Sequence, residues 1–502
     1  MKKVKTILAL LLVMALVCAL FAACSGSGSG TDKPADSTSN EKPATIKMVI
    51  MDFNSSGVDH GERINEAVNA ISEPAINVKV EISFMGFGDY MSKVQTAIAG
   101  GEQIDLMTAL FMLNVNTLHQ NGMALDITDE LKEFAPEALA VVGNEIDPYT
   151  YDGRYYGMPT HRNLLTCKWI IMNKDVLDEL GLTEKAENMT TWSEFEEILI
   201  AVKDAKNGTG MFPTIANGQS VFQGTRFTND SLVDTIVFDN LGDKTSTVFT
   251  DQEGHVSLLV EQDCYTYPNK LAASWNEKGY IYPDSIINNQ LSGNDLINAY
   301  TSFSLICSSE YGIQNSTNYE MPVVAKQISD YMLVTSSLTN SGMAVPITAE
   351  DPEAACKFLN LMYTNADLMN ILVNGQEGVD YELVDGQASK IAGQYAGGDF
   401  IMGNNLLLIP GLGQGADFNE VVKSKMAEMK TSAYLGFNID ITDLSDLIAN
   451  MSAVNDQYGA SLNGGDFTED LYNEYLGKLK AAGVEDYLSA VQAQLDAWLA
   501  AK

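Results

Sequence analysis

From Ile46 onward the chain switches repeatedly between two apolar rhythms, and this switching restricts its fold more than any other feature. Ile46-Lys47-Met48-Val49-Ile50-Met51 is an apolar-rich run that ends at Asp52-Phe53-Asn54-Ser55-Ser56, after which Ile64, Val68 and Ile71 recur at helical spacing. The first rhythm suits a strand and the second the inward stripe of a helix. Next Val78, Val80, Ile82 and Phe84 alternate, Tyr90, Val94, Ala97 and Ile98 follow at helical spacing, and Gly100-Gly101 stops that helix. Ile104 to Met107 gives a further short strand. Strands alternating with helices predict an α/β fold whose sheet is mostly parallel and covered by helices on both faces. Ligands of such sheets bind beyond the carboxyl ends of the strands. Here those ends carry Asp52-Phe53-Asn54 and Ala109-Leu110-Phe111.

A second α/β unit follows. A strand is predicted at Trp169-Ile170-Ile171-Met172, with a helix opening at Asn173 and running through Val176, Leu177 and Leu180 to Gly181. Thr191 and Glu194 have the spacing of a capping box, and Phe195, Ile198 and Leu199 would line the buried side of the helix they open. The C-terminus is helical: Leu471, Tyr475 and Leu479 form one stripe before Gly483, and Tyr487, Val491, Leu495 and Trp498 form another. Charged faces opposite these stripes make them packing helices, with Trp498 expected in the core.

Upstream, Lys2, Lys3 and Lys5 precede an uncharged apolar run of 17 residues from Ile7 to Ala23. A basic start, an apolar middle and small residues before Cys24 predict a secretory signal over 1–23. The run is at the short limit for a membrane span, and Ser25 to Gly30 supplies no basic stop signal. Ala22-Ala23-Cys24 resembles the lipobox of bacterial lipoproteins, in which the cysteine sulfur takes a diacylglyceryl group and becomes the mature N-terminus. Phe21 departs from the Leu usual three places before that cysteine, and an ordinary cleaved signal is the alternative. Residues 24–45 hold little that could be buried, so a flexible tether is expected there. The folded part would then sit at the extracellular face of the cell membrane, anchored through Cys24.

The whole chain is 46% hydrophobic, and the part after the tether, with no further long apolar stretch, suits two or more water-soluble domains. A formal net charge of −36 argues against nucleic acid or anionic lipid head groups as partners, both of which need basic surface. Cys167, Cys264, Cys307 and Cys356 are widely spaced and read as small buried hydrophobes. His60, His119, His161 and His255 lack metal-ligand spacing, and the acidic run Asp440, Asp443 and Asp446 lacks the central Gly and terminal Glu of a calcium loop, so no metal or cofactor is expected. Gly411-Leu412-Gly413-Gln414-Gly415 lacks the Lys-Ser/Thr ending of a phosphate loop, and no Gly-x-Ser-x-Gly elbow occurs. A two-carboxylate enzyme would leave no signature in one sequence, so a surface polysaccharide-degrading enzyme stands as an alternative to a binding protein.

Several segments, in this order, resemble the family 1 extracellular solute-binding proteins of ABC importers. They are Tyr151-Asp152-Gly153-Arg154-Tyr155-Tyr156-Gly157-Met158-Pro159, Met172-Asn173-Lys174-Asp175-Val176-Leu177 with Gly181-Leu182, and Thr191-Trp192-Ser193-Glu194-Phe195. Ser336 to Thr364, Gly375-Gln376-Glu377-Gly378 with Tyr381, and Met402-Gly403-Asn404-Asn405 are similar to a longer branch of that family, whose extra C-terminal region looks like Leu435-Gly436-Phe437 and Lys478 to Leu499. The resemblance implies a two-lobed periplasmic-binding-protein-like fold with hinge segments and a helical C-terminal extension. Lobe one would span 46–159 and about 338–395, and lobe two 160–335 and about 396–502. Pro159 would mark where the chain first leaves lobe one, and Val334 to Leu338 where it returns.

The same resemblance implies no catalysis, a carbohydrate ligand held between the lobes, and delivery of that ligand by a monomer to ABC permease subunits. A peptide remains an alternative ligand, since contact residues vary on one scaffold. Sugars need flat rings for stacking and planar polar groups for paired hydrogen bonds. Residues of those types are Asp52, Phe53 and Phe111 on lobe one, His161 and Arg162 at the crossing, and Trp275 and Tyr311 on lobe two.

Overall fold

A computed structural model describes residues 42–233, 239–313 and 318–501. The expected signal, Cys24 and nearly all of the tether lie outside the described residues. Among the described residues the first strand begins at Ala44, two residues inside the expected tether. The two largest sheets are built from β1 (Ala44–Asp52), β2 (Val78–Gly86), β3 (Leu106–Leu110), β4 (Met158–Pro159), β5 (Thr166–Asn173), β6 (Ser304–Glu310), β7 (Val323–Gln327) and β8 (Ser341–Ala344).

The first sheet has the order β2-β1-β3-β8-β4. Strand β1 pairs in parallel with β2 and β3, whereas β8 runs antiparallel to β3 and β4. Strand β8 alone is reversed: β4, antiparallel to β8, points the same way as β1, β2 and β3, so four of the five strands share one direction, as expected, and the expectation fails only at β8. That strand lies where the chain re-enters this lobe, so its direction is set by the crossing. Between the parallel strands lie helix α1 (Ser56–Ile76), which buries Ile64 and Val68, and helix α2 (Phe87–Gly100), which buries Tyr90, Val94 and Ile98. Helix α1 also closes the outer edge of β2. The amide of Asn65 exchanges hydrogen bonds with the backbone of Ile82 (2.9 and 2.7 Å), and that of Asn69 with Val80 (2.9 and 2.7 Å). An edge whose backbone is already bonded cannot recruit another strand.

The second sheet, β6-β5-β7, is antiparallel throughout. Helix α3 (Lys174–Leu180) starts where the Asn173 side chain accepts from the Val176 amide and stops at Gly181, whose φ of 66° is left-handed. Helix α4 (Trp192–Lys206) opens with the predicted capping box of Thr191 and Glu194. Helix α5 (Asp263–Glu277) inserts Trp275 among Trp192, Phe195 and Phe222, with ring centroids 6.3, 5.8 and 5.1 Å away. These aromatics form the heart of the second core.

The first core draws on β1 to β4 and on residues near the chain's return, including Met343, Phe358, Ile401 and Met402. A third core joins the C-terminal helices α6 (Ser445–Gly464), α7 (Glu469–Ala481) and α8 (Val484–Ala501) to Leu241, Val248, Leu258 and Tyr265. As expected, Trp498 packs rather than points outward, its ring 5.8 Å from Phe437. Among the described residues no helix is long and apolar enough to cross a membrane.

Candidate ligand-binding cleft

The parallel register aligns the carboxyl ends of neighbouring strands. Asp52, the last residue of β1, pairs with Gly86, the last of β2, and the pairing of Val49 with Met107 brings β3 to the same end. One phenylalanine follows each strand: Phe53 after β1, Phe87 after β2 and Phe111 after β3. Their ring centroids are 6.0 Å (Phe53–Phe87), 6.2 Å (Phe53–Phe111) and 6.1 Å (Phe87–Phe111) apart. Phe400 joins from the far end of the chain, 5.2 Å from Phe53. Phe53, Phe87 and Phe111 are 42, 53 and 39% exposed. Contiguous exposed aromatic surface of this kind marks a binding site, because a solvated edge has no packing reason to hold it. Phe111 adopts a φ of +51°, a left-handed conformation costly for a bulky residue, which the surrounding backbone must impose.

Asp52 does not serve as the cleft carboxylate that its position suggested. It is buried, and its two oxygens accept the amides of Gly57 (2.8 Å) and Asn54 (3.4 Å), so it holds the turn into α1. A Cβ at Gly57 would lie 2.3 Å from the Phe84 ring, and this close approach of helix to strand demands glycine.

Pro159 ends the edge strand β4, opposite Gly342 of β8, where a missing amide is harmless. Its carbonyl accepts the Tyr363 hydroxyl at 2.5 Å, so the proline is fixed to the first sheet and the chain crosses only after it. Beyond it, the His161 amide donates to the Gly403 carbonyl (2.9 Å) and the His161 carbonyl accepts from Asn405 (2.8 Å), so two crossing segments run side by side. The His161 ring faces the buried carboxylate of Glu145 at 2.9 Å.

Arg162 sends one guanidinium nitrogen to Glu310 at the end of β6 and another to the Ser337 carbonyl (3.4 Å) on the returning segment. One side chain thus joins both crossings to the second sheet. Burial pushes the Glu310 carboxyl up; Arg162 opposes that shift and Asp399, close enough to repel it, adds to it. Asp399 precedes Phe400, which links this charged group to the aromatic row. Tyr311, next after Glu310, stacks on Phe418 (6.0 Å, 14°) under the ammonium of Lys425 and is partly buried in a small cluster. Trp275 is fully buried in the second core and cannot wall a cleft.

The structure thus brings together Phe53 and Phe111, while Arg162 pairs with Glu310 and Ser337 at the crossing. Sequence reasoning missed Phe87, Phe400, Glu310 and Asp399. Phe87 carried a signal, since it follows Gly86 as Phe53 follows Asp52; Phe400 carried none. Ring faces, a guanidinium and carboxylates are the chemistry that holds a polar ligand with apolar faces.

Comparison with known proteins gives a consistent picture. The family model described as bacterial extracellular solute-binding protein matches residues 54–369, and that of a domain of unknown function (DUF3502) matches residues 433–500. A carbohydrate ABC transporter substrate-binding protein of Streptococcus pneumoniae serotype 4 is 24% identical over 494 residues, 95% of each chain. Among solved structures, the N-glycan transport solute-binding protein NgtS of Streptococcus pneumoniae superposes with a TM-score of 0.77 at 21% identity, covering 91% of this chain and 99% of its own. An HMO-binding, ABC-transporter-associated solute-binding protein of Bifidobacterium longum infantis superposes with a TM-score of 0.63 at 14% identity, covering 91% and 99%. These likenesses show the two-lobed fold of such binding proteins.

Proposed function

The chain belongs to the bacterial extracellular solute-binding proteins, and from that premise we propose that it is the receptor of an ABC importer, capturing a carbohydrate, an oligosaccharide by preference, between its two lobes. The observation that carries this reading is the row of exposed rings at the ends of β1, β2 and β3, with the Arg162–Glu310 pair at the crossing as the polar partner. Pyranose rings present C–H faces to aromatics and hydroxyls to planar charged groups, so this combination matches a sugar. The carbohydrate transport named for the pneumococcal relative, and the glycan complexes of NgtS, support the same substrate class.

In this reading lobe one comprises 46–159 with about 338–395, together with Ile401 and Met402, which pack into its core; lobe two comprises 160–335 with the rest of about 396–502, and closure turns on the crossings that follow Pro159 and on Val334 to Leu338. Closing buries the ligand and creates the state that the permease subunits distinguish. The receptor works as a monomer, performs no chemistry, and is held at the extracellular face by a lipid on Cys24; the signal-like pattern of 1–23 supports that anchor.

Titration calorimetry of the mature protein with mono- and oligosaccharides, and with peptides, tests the substrate class. Saccharide binding accompanied by compaction in X-ray scattering is the expected result. Peptide binding without sugar binding would replace the substrate class, and turnover of a polysaccharide would replace the receptor by an enzyme.

A further inference from the structure

The domain of unknown function at 433–500 has no role in the reading above, yet its helices wall a cavity of about 360 Å³. The other wall comes from residues 220–226 and from helix α5, so the cavity lies between the second and third cores and contains none of the four clustered phenylalanines. We propose that it is a second saccharide pocket, completed by the C-terminal region; the proposal rests on the carbohydrate reading.

The lining is unlike packing surface. Between two apolar cores, ordinary packing would fill such a space with aliphatic side chains. Here the walls present Thr225, Asn269, Ser452, Asn455 and Asn463 together with the rings of Phe222, Tyr265 and Tyr475. Asn269 is only 5% exposed, and among the described residues its side-chain amide has no protein partner. A buried amide in that position needs a ligand group or solvent from the cavity to satisfy it.

Other groups are fixed in advance. Asn455 donates to the Thr245 carbonyl and accepts the Tyr475 hydroxyl at 2.7 Å, which sets the far wall. The Arg226 guanidinium lies 5.8 Å over the Tyr265 ring and holds that ring in place. Lys244 and Asp456 carry opposite charges, and the buried Arg226 adds a guanidinium to the lining. Amides, hydroxyls and a guanidinium beside ring faces, in a volume within the lower range of small-molecule pockets, match one or two sugar rings.

The test uses two pocket variants of the mature protein. Asn269→Ala removes the unpartnered amide. Gly459→Leu fills the cavity: a Cβ there meets only the Asn463 amide, at 3.8 Å, so a larger side chain enters open space. Gly459→Ala keeps the cavity open and controls for helix effects, and Phe53→Ala reports on the aromatic row. In calorimetry across a panel of mono- and oligosaccharides, the expected result is at least a tenfold loss of one binding event in Asn269→Ala and Gly459→Leu. Gly459→Ala should bind as the parent does, and the event lost in Phe53→Ala should persist in both pocket variants. If both pocket variants bind every sugar as the parent does while Phe53→Ala does not, the pocket proposal falls and the receptor reading stands. If the parent binds no sugar, both fall.

Discussion

The rings of Phe53 and Phe111 meet edge to face with centroids 6.2 Å apart at the ends of adjacent parallel strands, and both remain open to solvent. Because so much of each ring is exposed, truncation should cost little stability while removing a stacking face. Phe53→Ala and Phe111→Ala are each expected to weaken oligosaccharide binding about tenfold, ~1.4 kcal/mol, with the thermal midpoint nearly unchanged. Phe53→Trp should retain affinity. Calorimetry beside thermal unfolding separates the two effects; a large loss of stability without loss of affinity would make these rings structural.

Arg63 and Asp380 form a two-pronged ion pair, with guanidinium–carboxylate distances of 2.6 and 2.7 Å. Burial alone would raise the Asp380 carboxyl, but Arg63 and the amides of Gln376 and Tyr395 outweigh it and hold the group below the usual carboxylate range. A depressed folded value means the contribution is present above the unfolded value of about 4 and is lost as pH falls through the folded one. Asp380→Asn should therefore cost about 3 kcal/mol at pH 7 and flatten the acid limb of the stability profile. Denaturant midpoints from pH 7 down to pH 3 measure it, and an acid limb as steep as the parent's would refute the assignment.

Many strands and helices were legible because their signals are local: Val78 to Phe84 alternate on one strand, and Thr191 and Glu194 lie one turn apart. Phe53 and Phe111 were legible as strand-end residues. What failed depends on distant parts of the chain. An aspartate at a strand end suits a ligand and a helix turn equally, and only the positions of the Gly57 and Asn54 amides decide for Asp52. Trp275 is the exception: its ring suits a sugar, although its helical spacing from Leu271 already favours the core, where the stack with Trp192 and Phe222 holds it. Strand β8 runs antiparallel to β3 because of the direction from which the chain returns, and nothing within Ser341 to Ala344 encodes that direction.

Asp243 anchors the C-terminal region. Its carboxylate accepts the hydroxyls of Tyr487 (2.7 Å) and Thr245 (2.8 Å) and the amides of Thr245, Thr247 and Val248. Tyr487→Phe deletes one bond to a charged acceptor and is expected to cost about 1.5 kcal/mol, whereas Asp243→Ala strands three buried amides and should cost about 3 kcal/mol or more. Limited proteolysis should show the C-terminal helices cut first in Asp243→Ala. Cleavage beginning elsewhere would mean that the third core holds together without this knot.

Lys168 gives the clearest alkaline test. Burial, with repulsion from Arg226, lowers its pKa to about 8, and its ammonium donates to the Gln223 carbonyl at 2.6 Å. In the unfolded chain the same group titrates near the ordinary lysine value of about 10.4. Between those two values the unfolded state holds more protons, so stability rises with pH through that window and the penalty is fully present below about pH 8. Lys168→Met removes the penalty together with one hydrogen bond. It should stabilise the protein on the order of 2 kcal/mol at pH 7, with the advantage shrinking towards pH 10. The buried tyrosines, whose raised values weaken the fold at high pH, are common to both proteins and cancel in the difference. Denaturant midpoints for the pair at pH 7 and pH 9.5 measure this, and an equal difference at both would show that the ammonium is well solvated in the folded chain.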